Sequence, residues 1–241
     1  VMELGKPAVS GEIARRLITA ISVGAYSPGE RLPAEREFAQ RLGIARDTLR
    51  QALHEVAALG LVEVRRGRAG GTYVTMLDWA TIAPEVAKHT LENELPAMRQ
   101  LFDFRCLIEG TIARAAAQRR TARDLTKINR LLAEFRASDS MITARTLDRR
   151  LHGAIAAAAR NEHLTDLSAR LTARVTLGFG AEPYEQGFFD RALGDHVRLV
   201  ELISAGDADA ADRCATEHFR ITLETMQAAL RRAVRASSTG S

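Results

Sequence analysis

Asp148 and His152 stand four residues apart in a stretch whose apolar residues, Leu147, Leu151, Ala154 and Ala158, recur at helical spacing, so both side chains share one face beside the apolar stripe. His196 is in register with Leu193, Val200 and Ile203, and His218 with Cys214 and Ile221, which turns both imidazoles inward on their own helices. A single inward histidine is more often a hydrogen-bonded core residue than a ligand. Three imidazoles and a carboxylate on three inward faces are costly to bury without a shared partner. A divalent cation supplies that partner: neutral imidazole nitrogens with one carboxylate suit Zn, Ni, Fe or Mn, and residue types alone do not choose among them. The same set with open coordination positions could activate water. No H-E-x-x-H arrangement and no nucleophile motif accompanies it, so the set reads as a binding site rather than a catalytic one.

A different chemistry occupies residues 28–74. Gly43 closes a short amphipathic helix, about 35–42, whose Phe38, Ala39 and Leu42 face inward; a second helical pattern runs from about 46 to 59 and stops at Gly60. With Leu49, Ala52, Leu53 and Val56 as its inner stripe, Asp47, Arg50, Gln51 and His54 project outward and Arg46 flanks them. An arginine fork on such a face can pair bidentately with guanine or clamp a phosphate. Two β-prone runs, 61–64 and 72–75, bracket Arg65-Arg66-Gly67-Arg68-Ala69-Gly70-Gly71, a hairpin whose glycines allow close approach to a nucleic-acid backbone and whose arginines suit a narrow minor groove. Alone, a helix with two outer arginines or a basic hairpin is usually a solvated surface. Helix, turn, outward-facing helix and basic hairpin in this order form a winged helix-turn-helix.

The elements that must position these two sets follow from the rest of the chain. Ile13, Ala14, Leu17, Ala20 and Ile21 predict a first helix over 9–23 with Ser10 as its N-cap, followed by a Gly/Pro/Ser-rich loop over 24–33. The pattern changes near residue 77, which places a DNA-binding domain at 1–76 and a linker at 77–96, carrying a short helix at 81–92 and interrupted by Pro84 and Pro96. From 97 to 235 the sequence reads as a helical bundle with segments at 97–119, 122–137, 141–160, 163–178, 187–205 and 207–235. The small, polar residues 236–241 read as a disordered tail. The fold class is mainly α.

Composition sets the outer limits. With 241 residues and 46% hydrophobic content the chain can bury real cores, and 5% aromatic content with abundant Ala favours helix. The formal charge of +4 is unevenly placed: residues 1–76 hold 11 Lys/Arg against 8 Asp/Glu, so most of the basic excess sits with the arginine-bearing helix and hairpin. Cys106 and Cys214 form no C-x-x-C pair, which argues against a disulfide framework or a zinc ribbon. Without an apolar run of about 18 residues or a signal-peptide arrangement, the sequence predicts a cytoplasmic protein with no membrane partner.

Two resemblances sharpen these expectations. Pro28-Gly29-Glu30-Arg31-Leu32-Pro33, Glu35-Arg36-Glu37, Leu42-Gly43, Arg46, Thr48-Leu49-Arg50, Gly60-Leu61-Val62 and Gly67-Arg68 closely resemble the N-terminal domain of the GntR family of bacterial transcription regulators. The resemblance implies that Arg36, Arg46, Thr48, Arg50, Gly67 and Arg68 contact DNA. Asp47, where many relatives carry Ser or Thr, joins them as a negative charge on the same face. Ala34 and Ala45 also depart from the family's usual Ser or Thr, so two side-chain N-caps are expected to be missing. Leu101-x-x-x-Arg105-x-x-x-Glu109, Asp148-x-x-x-His152 with Arg160-Asn161, Asp195-His196 and Glu217-His218 resemble the FCD ligand-binding domain of the FadR subfamily. That resemblance implies that Asp148, His152, His196 and His218 bind a divalent transition metal and that a small organic acid completes its coordination, with Arg105, Asn161 and Arg174 as weaker effector contacts. The expected whole is a homodimeric, metabolite-responsive regulator on a pseudo-palindromic stretch of double-stranded DNA.

Overall fold

The computed structural model describes residues 9–22, 26, 28–67, 70–75, 84–175 and 186–239. They divide into two compact units. One takes in the chain through Leu95 together with the stretch from Met226 on; the other holds most of the chain between Pro96 and Thr225.

In the first unit, α1 (Val9–Ser22), α2 (Glu35–Leu42) and α3 (Arg46–Ala58) precede an antiparallel hairpin of β1 (Val62–Arg65) and β2 (Gly71–Val74). Helix α1 packs on α3, burying Ile13, Leu17 and Ile21 against Leu49, Ala52 and Val56, with Phe38 of α2 closing the same core. Ser10, expected as an N-cap, lies inside α1, because the helix already begins at Val9. Gly43 ends α2 with φ +66, a left-handed conformation that costs a Cβ-bearing residue about 1 kcal/mol, and its N–H bonds back to Ala39 and Gln40. Ala34 and Ala45 sit at N-cap positions with extended backbone and no side-chain cap, as their sequence implies.

The hairpin pairs Val62 with Val74, Glu63 with Tyr73, Val64 with Thr72 and Arg65 with Gly71. Each strand therefore lies one residue away from the expected position, as the register centres on the tip. The expected loop before α2 does more than connect. Gly29 N donates to Val74 O at 2.9 Å, Leu32 N to Thr72 O at 2.8 Å and Val74 N to Glu30 O at 2.9 Å, so residues 29–32 cover the free edge of β2.

The second unit is built from α4 (Pro84–Arg119, of which it takes the part from Pro96), α5 (Ala122–Arg136), α6 (Met141–Ala158), α7 (Glu162–Val175), α8 (Gln186–Ala205), α9 (Ala208–His218) and the start of α10 (Ile221–Thr239). Helix α5 packs on α6 and α8, α6 on α7, and α8 on α9, around Ile112, Ile128, Leu131, Phe135, Leu151, Ile155, Leu199 and Ile203. Alanines carry much of the remaining core, so the helices approach closely. At Gly110 an added Cβ would lie 2.4 Å from both Asp212 Oδ1 and Thr216 Oγ1. The starts of α5, α6 and α9 are capped by Thr121, Ser140 and Asp207. Thr121 and Asp124 form a reciprocal box that Arg160 joins at 2.8 Å, and the Thr121 N–H and Arg160 hold the Asp124 carboxyl at about 2.

Three expected boundaries differ. Pro84 and Pro96 do not break the chain: Pro84 starts α4, where its missing N–H costs nothing, and Pro96 is carried inside a 36-residue helix at the point where the units divide. The single segment expected over 207–235 is two helices. Phe219 and Arg220 form a turn between them because the Phe219 side chain is drawn inward beside the histidines. Helix α10 runs to Thr239, past the point where a disordered tail was expected. The expected linker start and the residues at 76–83 lie outside the described residues. No described helix is long and apolar enough to cross a membrane.

Candidate functional site

Helix α6 brings Asp148 and His152 together, α8 supplies His196, and α9 supplies His218 as its last residue. All four ligand atoms lie within 4.8 Å of one another. His196 Nε2 stands 3.2 Å from His152 Nε2 and 3.1 Å from His218 Nε2, and the third side of the triangle, His218 to His152, is 3.2 Å. Asp148 Oδ1 completes the set at 3.2 Å from His196 and 3.4 Å from His152. Asp148, His196 and His218 are fully enclosed, and the His152 side chain is 11% exposed.

Hydrogen bonding fixes which nitrogens face inward. His218 Nδ1 lies 3.4 Å from Asp195 Oδ2, so its proton belongs on Nδ1 and its Nε2 lone pair points into the cluster. His196 Nδ1 is buried and has no hydrogen-bond partner among the described residues. Three Nε2 atoms therefore converge on one another without enough protons to link them, an arrangement that a cation resolves. The three Nε2 atoms stand close enough together that one ion could be held by all three, with Asp148 as the fourth ligand. The donor set fits a divalent transition metal.

Electrostatics separates the four groups. Burial alone would raise the Asp148 carboxyl, but the charges and hydrogen bonds of His152 and His196 outweigh it and hold the group well below the usual carboxylate range. Burial would likewise lower His152, yet Asp148 and the charge of Glu109 drive it above its ordinary value. Burial, with no sufficient counter-charge, keeps His196 low, and burial together with the neighbouring His196 pushes His218 to about 3. His152 is thus the imidazole that favours the charged form, while His196 and His218 favour the neutral one.

Aromatic side chains wall the cluster. Phe135 meets His196 edge-on with ring centres 4.8 Å apart, and Phe219 lies 4.7 Å from His152. The Arg105 guanidinium, 2% exposed, stacks over Phe219 at 4.4 Å and reaches Thr172 Oγ1 at 3.4 Å. Beside His152 opens a cavity of about 210 Å³ to which both Arg105 and Arg149 contribute. Of the three expected effector contacts, only Arg105 lines it. Asn161 caps α7 through Leu164 N at 3.2 Å and borders a separate, open cavity of about 490 Å³ with Arg160; Arg174 is exposed on α7. Arg149, Ser168, Phe219 and Asp195 were not singled out as site residues. Arg149 carried a signal, since it follows Asp148 on the same helix; Phe219 carried none, because only the α9–α10 turn aims it inward.

On the first unit, Arg36, Arg46, Asp47 and Arg50 are exposed, Thr48 is half-buried, and Gly67 is exposed at the hairpin tip; Arg68 lies outside the described residues. Arg50 is already engaged. It lies 3.2 Å from Asp47 Oδ1 and 3.1 Å from Glu35 Oε2, a bridge from α3 to the first residue of α2. On the hairpin, Arg65 stacks over the Tyr73 ring at 4.2 Å and bonds Glu63 at 2.9 Å.

A winged helix-turn-helix followed by an α-helical bundle is the plan of a bacterial transcription regulator, and comparison with known proteins agrees. Residues 9–74 match the family described as bacterial regulatory proteins, gntR family, and residues 100–221 match the FCD domain. The chain belongs to the GntR family and is a DNA-binding transcription regulator with an FCD domain; its relatives are regulators, not enzymes. It is 31% identical to the Uxu operon transcriptional regulator of Escherichia coli over 202 residues, covering 80% of this chain and 77% of that protein. It is 29% identical to the galactonate operon transcriptional repressor of the same organism, covering 80% of this chain and 85% of that one. Among solved structures, Escherichia coli McbR/YncC has the same fold, with a TM-score of 0.50 at 19% identity over 92% of this chain and 99% of that one.

Proposed function

We propose that this regulator is a metal-dependent sensor of an organic acid, acting in the cytoplasm as a homodimer on a pseudo-palindromic operator. The observation that carries the reading is the convergence of Asp148, His152, His196 and His218 beside a cavity to which Arg105 and Arg149 also contribute. A bound Zn, Ni, Fe or Mn would supply Lewis-acid affinity for a carboxylate. The protein's own residues do the rest: Asp195 orients His218, Phe135 and Phe219 exclude water, and Arg105 and Arg149 favour an anion. One relative's name contains the carboxylic acid galactonate, which accords with such a ligand.

In this reading DNA is held by Arg36, Arg46, Thr48, Arg50 and the hairpin tip at Gly67 and Arg68, with Asp47 tuning base preference from the same face. The domain that binds DNA spans 1–76 and the effector and dimerisation domain 97–235. The acid alters operator binding only as far as its affinity differs between the two placements of the readers.

Elemental analysis and operator titration test the proposal together. Protein loaded with metal should hold about one ion per chain, lose it on Asp148→Ala or His196→Ala, and change its operator affinity with an organic acid only when metal is present. Failure to retain any of the four metals after reconstitution would defeat the sensor reading. On the DNA side, Asp47→Asn should strengthen binding to random duplex and reduce the preference for operator, by about 1 kcal/mol or more in the ratio; an unchanged ratio removes Asp47 from the readout.

A further inference from the structure

We infer that Arg31 holds a DNA phosphate at the root of the hairpin, a contact that adds affinity without reading sequence. The inference rests on the hairpin tip meeting DNA as proposed above.

Residues 29–32 make the hairpin three-stranded, and Arg31 lies on its outer face. Arg31 bridges Tyr73 in antiparallel fashion, and Tyr73 pairs with Glu63 on its other side, so these three side chains leave one face of the sheet. Leu32, Val62 and Val74 are buried and belong to the opposite face, against the core. Arg65 shares the outer face with Glu63, but its guanidinium stacks over Tyr73 and bonds Glu63. Arg31 is exposed and has no acid partner among the described residues.

Gly71 determines where the Arg31 guanidinium lies. A Cβ at position 71 would stand 2.6 Å from Arg31 Nε, 3.2 Å from Nη2 and 3.3 Å from Cζ, so the guanidinium occupies the space a side chain there would take. Gly71 also has φ +151, which disfavours any residue with a Cβ. Position 71 pairs with Arg65 in the last row before the tip, so Arg31 brings its charge to the root of the tip. An arginine laid along the backbone has given up part of its rotamer freedom before a ligand arrives, and less remains to be lost on binding.

Two observations select phosphate as the ligand. Between residues 9 and 75, Arg15, Arg41, Arg50 and Arg65 are each paired with a carboxylate. Arg31, Arg36, Arg46 and Arg66 are not, among the described residues. Arg36 and Arg46 belong to the proposed DNA contacts and Arg66 to the tip; Arg31 shares their uncommitted charge. Depth then separates phosphate from base. Gly67 stands two residues beyond Arg65, at most about 7 Å at about 3.4 Å per residue, and the minor groove is about 7.5 Å deep. A tip that reaches the groove floor therefore leaves its root level with the sugar-phosphate backbone.

The test measures binding of full-length protein to short duplexes between about 50 and 200 mM salt, one of random sequence and one selected by the wild-type protein from a random pool. Arg31→Gln should reduce the slope of log affinity against log salt by about 0.9 for each chain bound. Over the decade from about 1 M to about 0.1 M salt this amounts to about eightfold per chain, and it should be equal on both duplexes. Arg31→Lys keeps the charge and should restore the slope. Arg15→Gln removes the same charge from α1 and should leave the slope unchanged; an equal loss there would reduce the effect to net charge and overturn the contact. A loss confined to the selected duplex would make Arg31 a reader of bases, and a Lys variant as weak as the Gln variant would make it a structural part of the sheet. Either result overturns the inference. Arg68→Gln separates it from the reading beneath it: if Arg68→Gln lowers the slope and Arg31→Gln does not, the phosphate contact fails and the tip stands, whereas if neither does, the hairpin itself does not meet DNA.

Discussion

Filling the four-ligand site should displace close to one proton, not two or three. At pH 6 an ordinary three-histidine site, each group near 6.5, would hold about 2.3 protons, all of which must leave before three nitrogens can coordinate. Here burial lowers both His196 and His218, the latter to about 3, so both favour the neutral form, and Asp148 is held ionised well below the usual carboxylate range. Among the three imidazoles His152 alone is raised above its ordinary value, by Asp148 and the charge of Glu109, so it is the one that favours the charged form. A metal-bound water, with a pKa near 7 even on zinc, adds little at pH 6. Calorimetric titration of chelator-treated protein with Zn or Mn, repeated in buffers of different ionisation enthalpy, counts the protons. The expected result is about one at pH 6, declining toward zero as the pH rises through the His152 value. Apparent affinity should then weaken by about tenfold for each pH unit below it. Release of two or more protons at pH 6 would refute the assignment of one charged and two neutral imidazoles.

Two further outcomes concern the scaffold. Ala45→Ser places a hydroxyl at an N-cap whose backbone is already extended, and it should add about 0.5–2 kcal/mol of stability, read as a rise in the urea midpoint at constant m; no gain would mean that the α3 amides are otherwise satisfied. Gly110→Ala forces a methyl against Asp212 and Thr216 and should cost about 1–3 kcal/mol, seen as a lower Tm, whereas a neutral result would show that α4 and α9 can separate without penalty.

The parts of this protein that were legible in its sequence are those governed by local period and punctuation. Leu49, Ala52, Leu53 and Val56 announced the inner face of α3, and Gly43 its preceding turn, because helical spacing and left-handed backbone are properties of a few adjacent residues. Asp148, His152, His196 and His218 were legible for the same reason: each sits in register with an apolar stripe that had to face the core. What escaped depends on contacts made at long range. Nothing near Phe219 marks a helix break; the turn exists because the ring packs against His152 and beneath Arg105. The proline-based boundaries misled because a helix can absorb one missing donor when the rest of its length is bonded. Ser168 is a plain helical serine until Glu109, fifty-nine positions earlier, takes its proton.

The bridge from Arg50 to Asp47 and Glu35 bears on how such a regulator searches a genome. Random duplex offers phosphates everywhere, and an uncommitted arginine would adhere to each in turn, slowing movement along the DNA. An arginine already paired with two carboxylates gains less from a phosphate than a free one, by the about 0–1 kcal/mol that such exposed pairs are worth. Only a site offering a better partner, such as the paired acceptors of a guanine edge, repays the exchange. If Arg50 and Asp47 face DNA as proposed, the intramolecular pairing would lower the residence time at wrong sequences more than at the right one, and Asp47, an unpromising residue to place against DNA, would keep the protein moving until it arrives.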